Sequence, residues 1–388
     1  MKRRSIFQFV ISSFLVAVLT ASCGLFGTTD TPQVNNGTKS PVASTEVIKV
    51  GAILPLTGPT GYIGEGSKLG MELALKDRQG NTPKIEFIFE DSQGKPNVGV
   101  SAASKLLDVQ KVNIQVVSTT PVSLATLPAY KQSNKDVLVL IQSTYPGITK
   151  GYPFAYRIYA TADEETDFIA EYVKKQGYKK IGAFNVTGKS GEEAIKELQA
   201  KISAFGGKVV ATESFPATEK DFRTGLQKFK SLELDAMFVY PFPASYEVIS
   251  KQYDEIGLNI PVLGNLNLAF PNMEEKIAPN FRKNVVFPAP RYFVAKDDNK
   301  IKAFNDKVKA SGKVAAFDIA YSYDMTNILI KSIETSKSTS PKAIGAGILK
   351  LMPYEGVSGT IRLNEDRDSR ADMSLVTFSE QGIKVLTK

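Results

Sequence analysis

The chain has 388 residues, a formal net charge of +8, and 43% hydrophobic and 23% charged residues, which is the composition of a soluble globular protein with room for two domains. It contains no histidine and a single cysteine, Cys23. These counts exclude a His-based triad, a His general base, a His-containing zinc site, internal disulfides and clustered thiolate metal sites, and no cofactor is implied. Charges of both signs are interspersed, with no basic block that would mark a nucleic-acid partner.

Residues 1–22 open with Lys2, Arg3 and Arg4, continue with an apolar run from Ile6 to Leu19 and end on small residues. That is the plan of a secretory signal peptide, and the run is too short and Ser-interrupted for a good membrane span. Leu19-Thr-Ala-Ser-Cys23 resembles a bacterial lipobox, although Thr20 stands where leucine is usual. The resemblance implies a lipid on Cys23 and an exported protein, periplasmic or at the cell surface, whose only membrane contact is that anchor. Ordinary cleavage near Ala21 is the alternative. Residues 23–45 hold almost nothing that could fill a core and read as a flexible tether.

Ile48–Leu54 is a short apolar run, read as a strand buried on both faces, and it runs into a loop containing Thr57 and Gly58. A helix follows, with Leu69 and Leu73, then Met71 and Leu75, on shared faces. Gly58, Gly61, Gly64 and Gly66 are expected to let backbone N–H groups approach a ligand. Strands then alternate with helical patterns: 84–91, 112–117, 137–141, 181–184, 236–240 and 261–264. Ser190 and Glu193 have capping-box spacing at the start of one helix. Repeated βαβ units before and after about residue 160 predict two α/β lobes, each a doubly wound parallel sheet. The tail from 357 reads as two strands joined by a polar turn and a short third.

Two hydroxyl-rich clusters follow predicted strands. Ser118-Thr119-Thr120 precedes a helix, and Gln142-Ser143-Thr144 precedes Tyr145-Pro146. Hydroxyls at strand ends with helix N–H groups behind them suit a carboxylate or another acceptor-rich group, whereas the bland reading is a helix N-cap and a turn. Two tempting motifs fail. Thr187-Gly188-Lys189-Ser190 lacks the leading glycine of a P-loop, and the acids of 364–368 lack the central Gly and distal Glu of an EF-hand.

The stretch IKVGAILPLTGPTGYIGEGSKLGMELAL resembles the opening of leucine/isoleucine/valine-binding-type solute-binding proteins, which have the type I periplasmic-binding-protein fold. Later segments match in order, so the resemblance spans 46–388. It implies an N-terminal lobe of 46–160 and 289–356, a C-terminal lobe of 161–288 and 357–388, and a three-stranded hinge. It also implies capture of a small amino-acid-like, amide or organic-acid ligand for an ABC permease. A ligand-sensing or scaffold lipoprotein with the same fold is the alternative.

By position, Thr120 and Thr144 fall on ligand-contacting residues, and Tyr62 or its neighbour Ile63 faces the ligand. Asp163 falls at the hinge or against an amine, and Ser190, Tyr240, Phe242, Asn265 and Asn267 come from the second lobe. Where the amino-acid binders place a glutamate for the ligand ammonium, this chain has Asn265-Leu266-Asn267. The ligand therefore lacks an ammonium, or Asp163 neutralises it.

Overall fold

The computed structural model describes residues 47–78, 83–380 and 382–387, so the signal peptide, Cys23 and the tether lie outside the described residues. The first lobe is built from β1 (Ile48–Leu54), α1 (Gly61–Asp77), β2 (Ile85–Asp91), α2 (Pro96–Ser104), β3 (Ile114–Ser118), α3 (Thr120–Gln132), β4 (Leu138–Gln142) and β5 (Ala155–Arg157). Its strands run parallel in the order β2-β1-β3-β4-β5. Only Lys49 of β1 is exposed, because helices cover both faces of the sheet. Val50, Ala52 and Leu54 pack with Met71 of α1, while Ile53 points to the other face and joins Ala103 and Val122. The larger of these, Val50, Ile53, Leu54, Met71 and Val122, each contribute about 1.5–3 kcal/mol through burial.

The chain enters the second lobe through α4 (Ala162–Gln176), then β6 (Lys180–Val186), α5 (Lys189–Ser203), β7 (Lys208–Phe215), α6 (Arg223–Lys230), β8 (Ala236–Tyr240) and α7 (Pro243–Glu255). β9 (Val262–Gly264), α8 (Met273–Lys276), α9 (Pro279–Asn284) and β10 (Val285–Pro290) complete its parallel part. After α10 (Arg291–Val294), α11 (Asn299–Ala310), α12 (Phe317–Ser336) and α13 (Pro341–Lys350) return to the first lobe. Lys307 of α11 and Tyr323 of α12 both engage Asp77 of α1, at 2.6 and 2.5 Å.

β11 (Tyr354–Glu355), β12 (Thr360–Leu363) and β13 (Ser369–Ala371) form a separate antiparallel sheet, and β14 (Met373–Ser379) and β15 (Gly382–Thr387) join the second lobe. The tail thus holds two hairpins, one more strand than the sequence suggested. The second sheet runs β15-β14-β10-β9-β8-β6-β7, so its parallel part repeats the strand order of the first.

Two local expectations fail for packing reasons. α1 begins at Gly61, so Gly64 and Gly66 sit inside a helix rather than in a ligand-cradling loop. A β-carbon at Gly64 would overlap Pro55 O, and one at Gly66 would overlap the Asp318 carboxyl, so these glycines admit close neighbours within the fold. At α5, Gly188 takes the N-cap position and no side chain caps the helix. The observed capping box lies at α4, where Glu164 N–H donates to Thr161 Oγ1 and Thr161 N–H to Glu164 Oε2.

Candidate functional site

In an open α/β sheet the crevice forms at the carboxyl ends of the strands, where the strand order switches direction. Here that point lies between β1 and β3 in one lobe and between β6 and β8 in the other. The two crevices face each other across a cleft of about 410 Å³. The residues at the end of β3 (Ser118, Thr119, Thr120) and at the end of β4 (Gln142, Ser143, Thr144) line one side. Ser190, Tyr240, Phe242 and Asn267 line the other.

The first-lobe wall is short of hydrogen-bond partners. Ser118 Oγ, Thr119 Oγ1 and Gln142 Oε1 are buried and have no hydrogen-bond partner among the described residues. An unpaired buried polar group costs about 1–3 kcal/mol, so three beside one cleft mark a place for a ligand's polar head. Thr119 also sits at φ +74°, an uncommon conformation for a β-branched residue, and its N–H is held by Gln142 O at 2.9 Å. Thr120 Oγ1 lies 2.8 Å from Ser143 Oγ and 2.9 Å from Ser190 Oγ. The second contact crosses between lobes, from the first turn of α5, where Ser190 lies past the N-cap position.

Beneath the loop 143–145 lies Arg157, one of the largest fully buried side chains. It pairs with Asp368 of the small sheet at 2.5 Å and donates to Ser143 O and Tyr145 O at 3.2 and 2.8 Å. One guanidinium thereby ties the cleft-lining loop to a connection between lobes.

The second-lobe wall is internally satisfied. Glu165 of α4 accepts from Tyr240 Oη at 3.1 Å and from Leu266 N–H at 2.8 Å. Burial pushes its carboxyl up to about 7, against the lowering effect of those two donors. Asn267 Nδ2 donates to Pro241 O at 2.8 Å. An acid such as Glu165 in the first turn of a helix is commonplace. The pairing with Tyr240 spans 75 positions and has no local signature.

Four predicted site residues lie outside the cleft lining. Thr57 donates to Asp91 Oδ2 at 2.6 Å, which joins the ends of β1 and β2. Tyr62 turns away from the cleft, which Ile63 lines instead, and its ring meets Phe270 of the second lobe edge-on at 5.3 Å. Asp163 faces Arg370 of β13 at 3.4 Å, beside the small sheet. Asn265 is buried, with its Oδ1 receiving Tyr246 Oη at 3.0 Å and Asn267 N–H at 3.3 Å. Sequence reasoning missed Tyr159 and Phe317, which contribute two aromatic faces, and also Val186, Thr187 and Lys189. Phe317 opens α12, far along the chain, and nothing local sets it apart from a core aromatic.

Among the described residues, Lys189 is the only charged one lining this cleft, and no carboxylate lines it. Two lobes with facing strand ends, polar heads on one side and aromatics around them, define a protein that encloses a small solute. The chain belongs to the periplasmic binding protein family, whose model matches residues 47–382. That is a family of exported solute-binding proteins rather than enzymes.

Among curated relatives, a Leu/Ile/Val-binding protein homolog of Brucella melitensis is 27% identical over 333 residues, covering 83% of this chain and 88% of its own. The fold is shared with a solute-binding protein of an ABC transporter from Rhodopseudomonas palustris, solved with 3,4-dihydroxybenzoic acid. Its TM-score is 0.78 at 23% identity, with 88% and 96% of the two chains covered. It is also shared with a branched-chain amino acid transporter substrate-binding protein from Streptococcus pneumoniae in complex with isoleucine. There the TM-score is 0.74 at 20% identity, covering 88% and 100%.

Proposed function

We propose that this protein captures a small monocarboxylate with an apolar, aromatic-sized body and no ammonium group, and delivers it to an ABC permease. The observation that carries the reading is the asymmetry of the cleft. Two unpartnered hydroxyls, Ser118 Oγ and Thr119 Oγ1, stand on the first lobe, and among the described residues no acid lines the site. Hydroxyls donate to a carboxylate, whereas an ammonium would find no counter-charge and would be costly to bury. Asp163 does not line the cleft and faces Arg370 beside the small sheet, so it stands apart from a ligand's ammonium. Tyr159, Phe242 and Phe317 supply flat surfaces for the ligand body.

Closure follows from the same contacts. A ligand seated on the first lobe gains the Tyr240 and Phe242 wall only when the lobes meet, so its differential affinity stabilises the closed form. The connections after β5 and β10 and before β14 are the hinge, and the closed form docks on the permease. Cys23 carries the lipid that keeps the protein at the membrane. The proposal places it outside the cytoplasm, consistent with the exported family and the signal-like residues 1–22.

Titration calorimetry with benzoate, 4-methylpentanoate and leucine tests the ligand class, because the last two share a branched body and differ in the amine. Binding of either ammonium-free acid with at least tenfold weaker leucine binding is expected. Leucine as the tighter ligand would overturn the reading.

A further inference from the structure

A second cavity of about 460 Å³ lies on the far side of the aromatic residues that bound the ligand cleft. Its floor is apolar, with Phe270, Met273, Tyr292 and Phe378. Lys296, Lys309 and Lys313 stand exposed at its margin, and among the described residues none of them carries an ion pair. Glu274 and Glu275 also line the cavity. Asn305 adds a hydrogen-bonding group to the wall, and its Oδ1 is buried with no partner.

The walls of this cavity come from both lobes. Asn305 and Lys309 lie on α11, and Lys313 and Ala315 on the connection to α12, all carried by the first lobe. Phe270, Met273 and Phe378 belong to the second lobe. The partition between the two cavities is a pair of rings. Phe270, facing the second cavity, meets Phe317, facing the ligand cleft, at 4.8 Å and 88°.

We infer that this cavity is a second binding site, for an apolar monoanion, and that its occupancy favours the closed arrangement of the lobes. An aromatic or branched body fits the Phe270–Phe378 floor, and a carboxylate or sulfonate head meets the lysines at the margin. A ligand touching α11 on one side and the Phe270 loop on the other makes its full contacts only when the lobes are together. It therefore shifts the same equilibrium as the cleft ligand, and by linkage each raises the affinity for the other. The coupling rests on the closure described under the proposed function, whereas the site itself does not.

The test uses 8-anilinonaphthalene-1-sulfonate, an aromatic sulfonate whose fluorescence reports binding, on the full chain at low salt. Wild type is expected to bind one equivalent tightly enough to titrate. The Lys309→Glu/Lys313→Glu double variant changes only exposed side chains and should weaken binding at least tenfold. The Ser118→Ala/Phe242→Ala double variant removes cleft contacts without wedging the lobes apart, and should leave probe affinity within twofold. Equal affinity in wild type and the lysine double variant, or loss of the probe in Ser118→Ala/Phe242→Ala, would overturn the second site. Small-angle X-ray scattering decides the coupling: the radius of gyration should fall when the probe is added to unliganded protein. An unchanged radius at saturating probe would overturn it. None of these readouts requires benzoate or 4-methylpentanoate to bind, so failure of the ligand-class assignment would be seen separately.

Discussion

The two lobes share a strand order but finish their cleft edges in opposite ways. On the first lobe, Ser118, Thr119 and Gln142 each keep a buried polar atom without a partner, and Thr119 holds a strained backbone. On the second, Tyr240, Asn265 and Asn267 are all engaged within their own lobe, with Glu165 behind Tyr240. One edge is built to receive a polar head, and the other is a finished wall that closes over it. A repeated architecture thus yields two different roles, because the roles are set by a few side chains at the strand ends and not by the sheets.

The largest expected effect breaks the link between the lobes. Arg157→Met leaves Asp368 buried and uncompensated, which costs about 3–5 kcal/mol of folding stability and loosens the loop 143–145. Chemical denaturation measures it, and a loss under about 1 kcal/mol would mean the pair is not the tie described here.

Next is a pH dependence. Burial pushes Asp318 and Glu165 up to about 7. Their folded values lie above their unfolded ones, so the stability they contribute is full below about pH 4 and declines as pH rises towards 7. Denaturation midpoints should therefore fall between pH 5 and 7.5, with a slope on the order of 1 kcal/mol per pH unit. Asp318→Asn should flatten that slope, and an unchanged slope in the variant would assign the effect elsewhere.

A third variant pair sharpens the contrast between the walls. Glu165→Leu frees Tyr240 and the Leu266 amide, so ligand affinity should drop by about 2 kcal/mol, or roughly thirtyfold, while Glu165→Gln keeps most of it. The smallest effect is on the receiving edge. Ser118→Ala should cost about 1 kcal/mol of affinity with little change in stability, since its hydroxyl has no partner to lose in the unliganded protein.

Much of this was legible along the chain. The apolar run of β1, the βαβ alternation and the two hydroxyl clusters all follow from local pattern, and the clusters do meet at one cleft. What escaped was set by distance or by rotation. Ser190 and Glu193 have the spacing of a capping box, but the Ser190 hydroxyl lies beside Thr120, 70 residues away. Tyr62 and Ile63 are both open candidates in the sequence, and one residue along a helix rotates a side chain by about 100°, which here separates a lobe contact from the cleft wall. Phe317, Tyr159 and Glu165 reach the site only through the folding of remote segments.

The most direct test of the account is a crystal structure with bound benzoate. The account places the carboxylate within hydrogen-bond distance of Ser118 Oγ and Thr119 Oγ1, with the ring among Tyr159, Phe242 and Phe317. A carboxylate held instead by Lys189 and the second lobe, with the hydroxyls of Ser118 and Thr119 untouched, would contradict it.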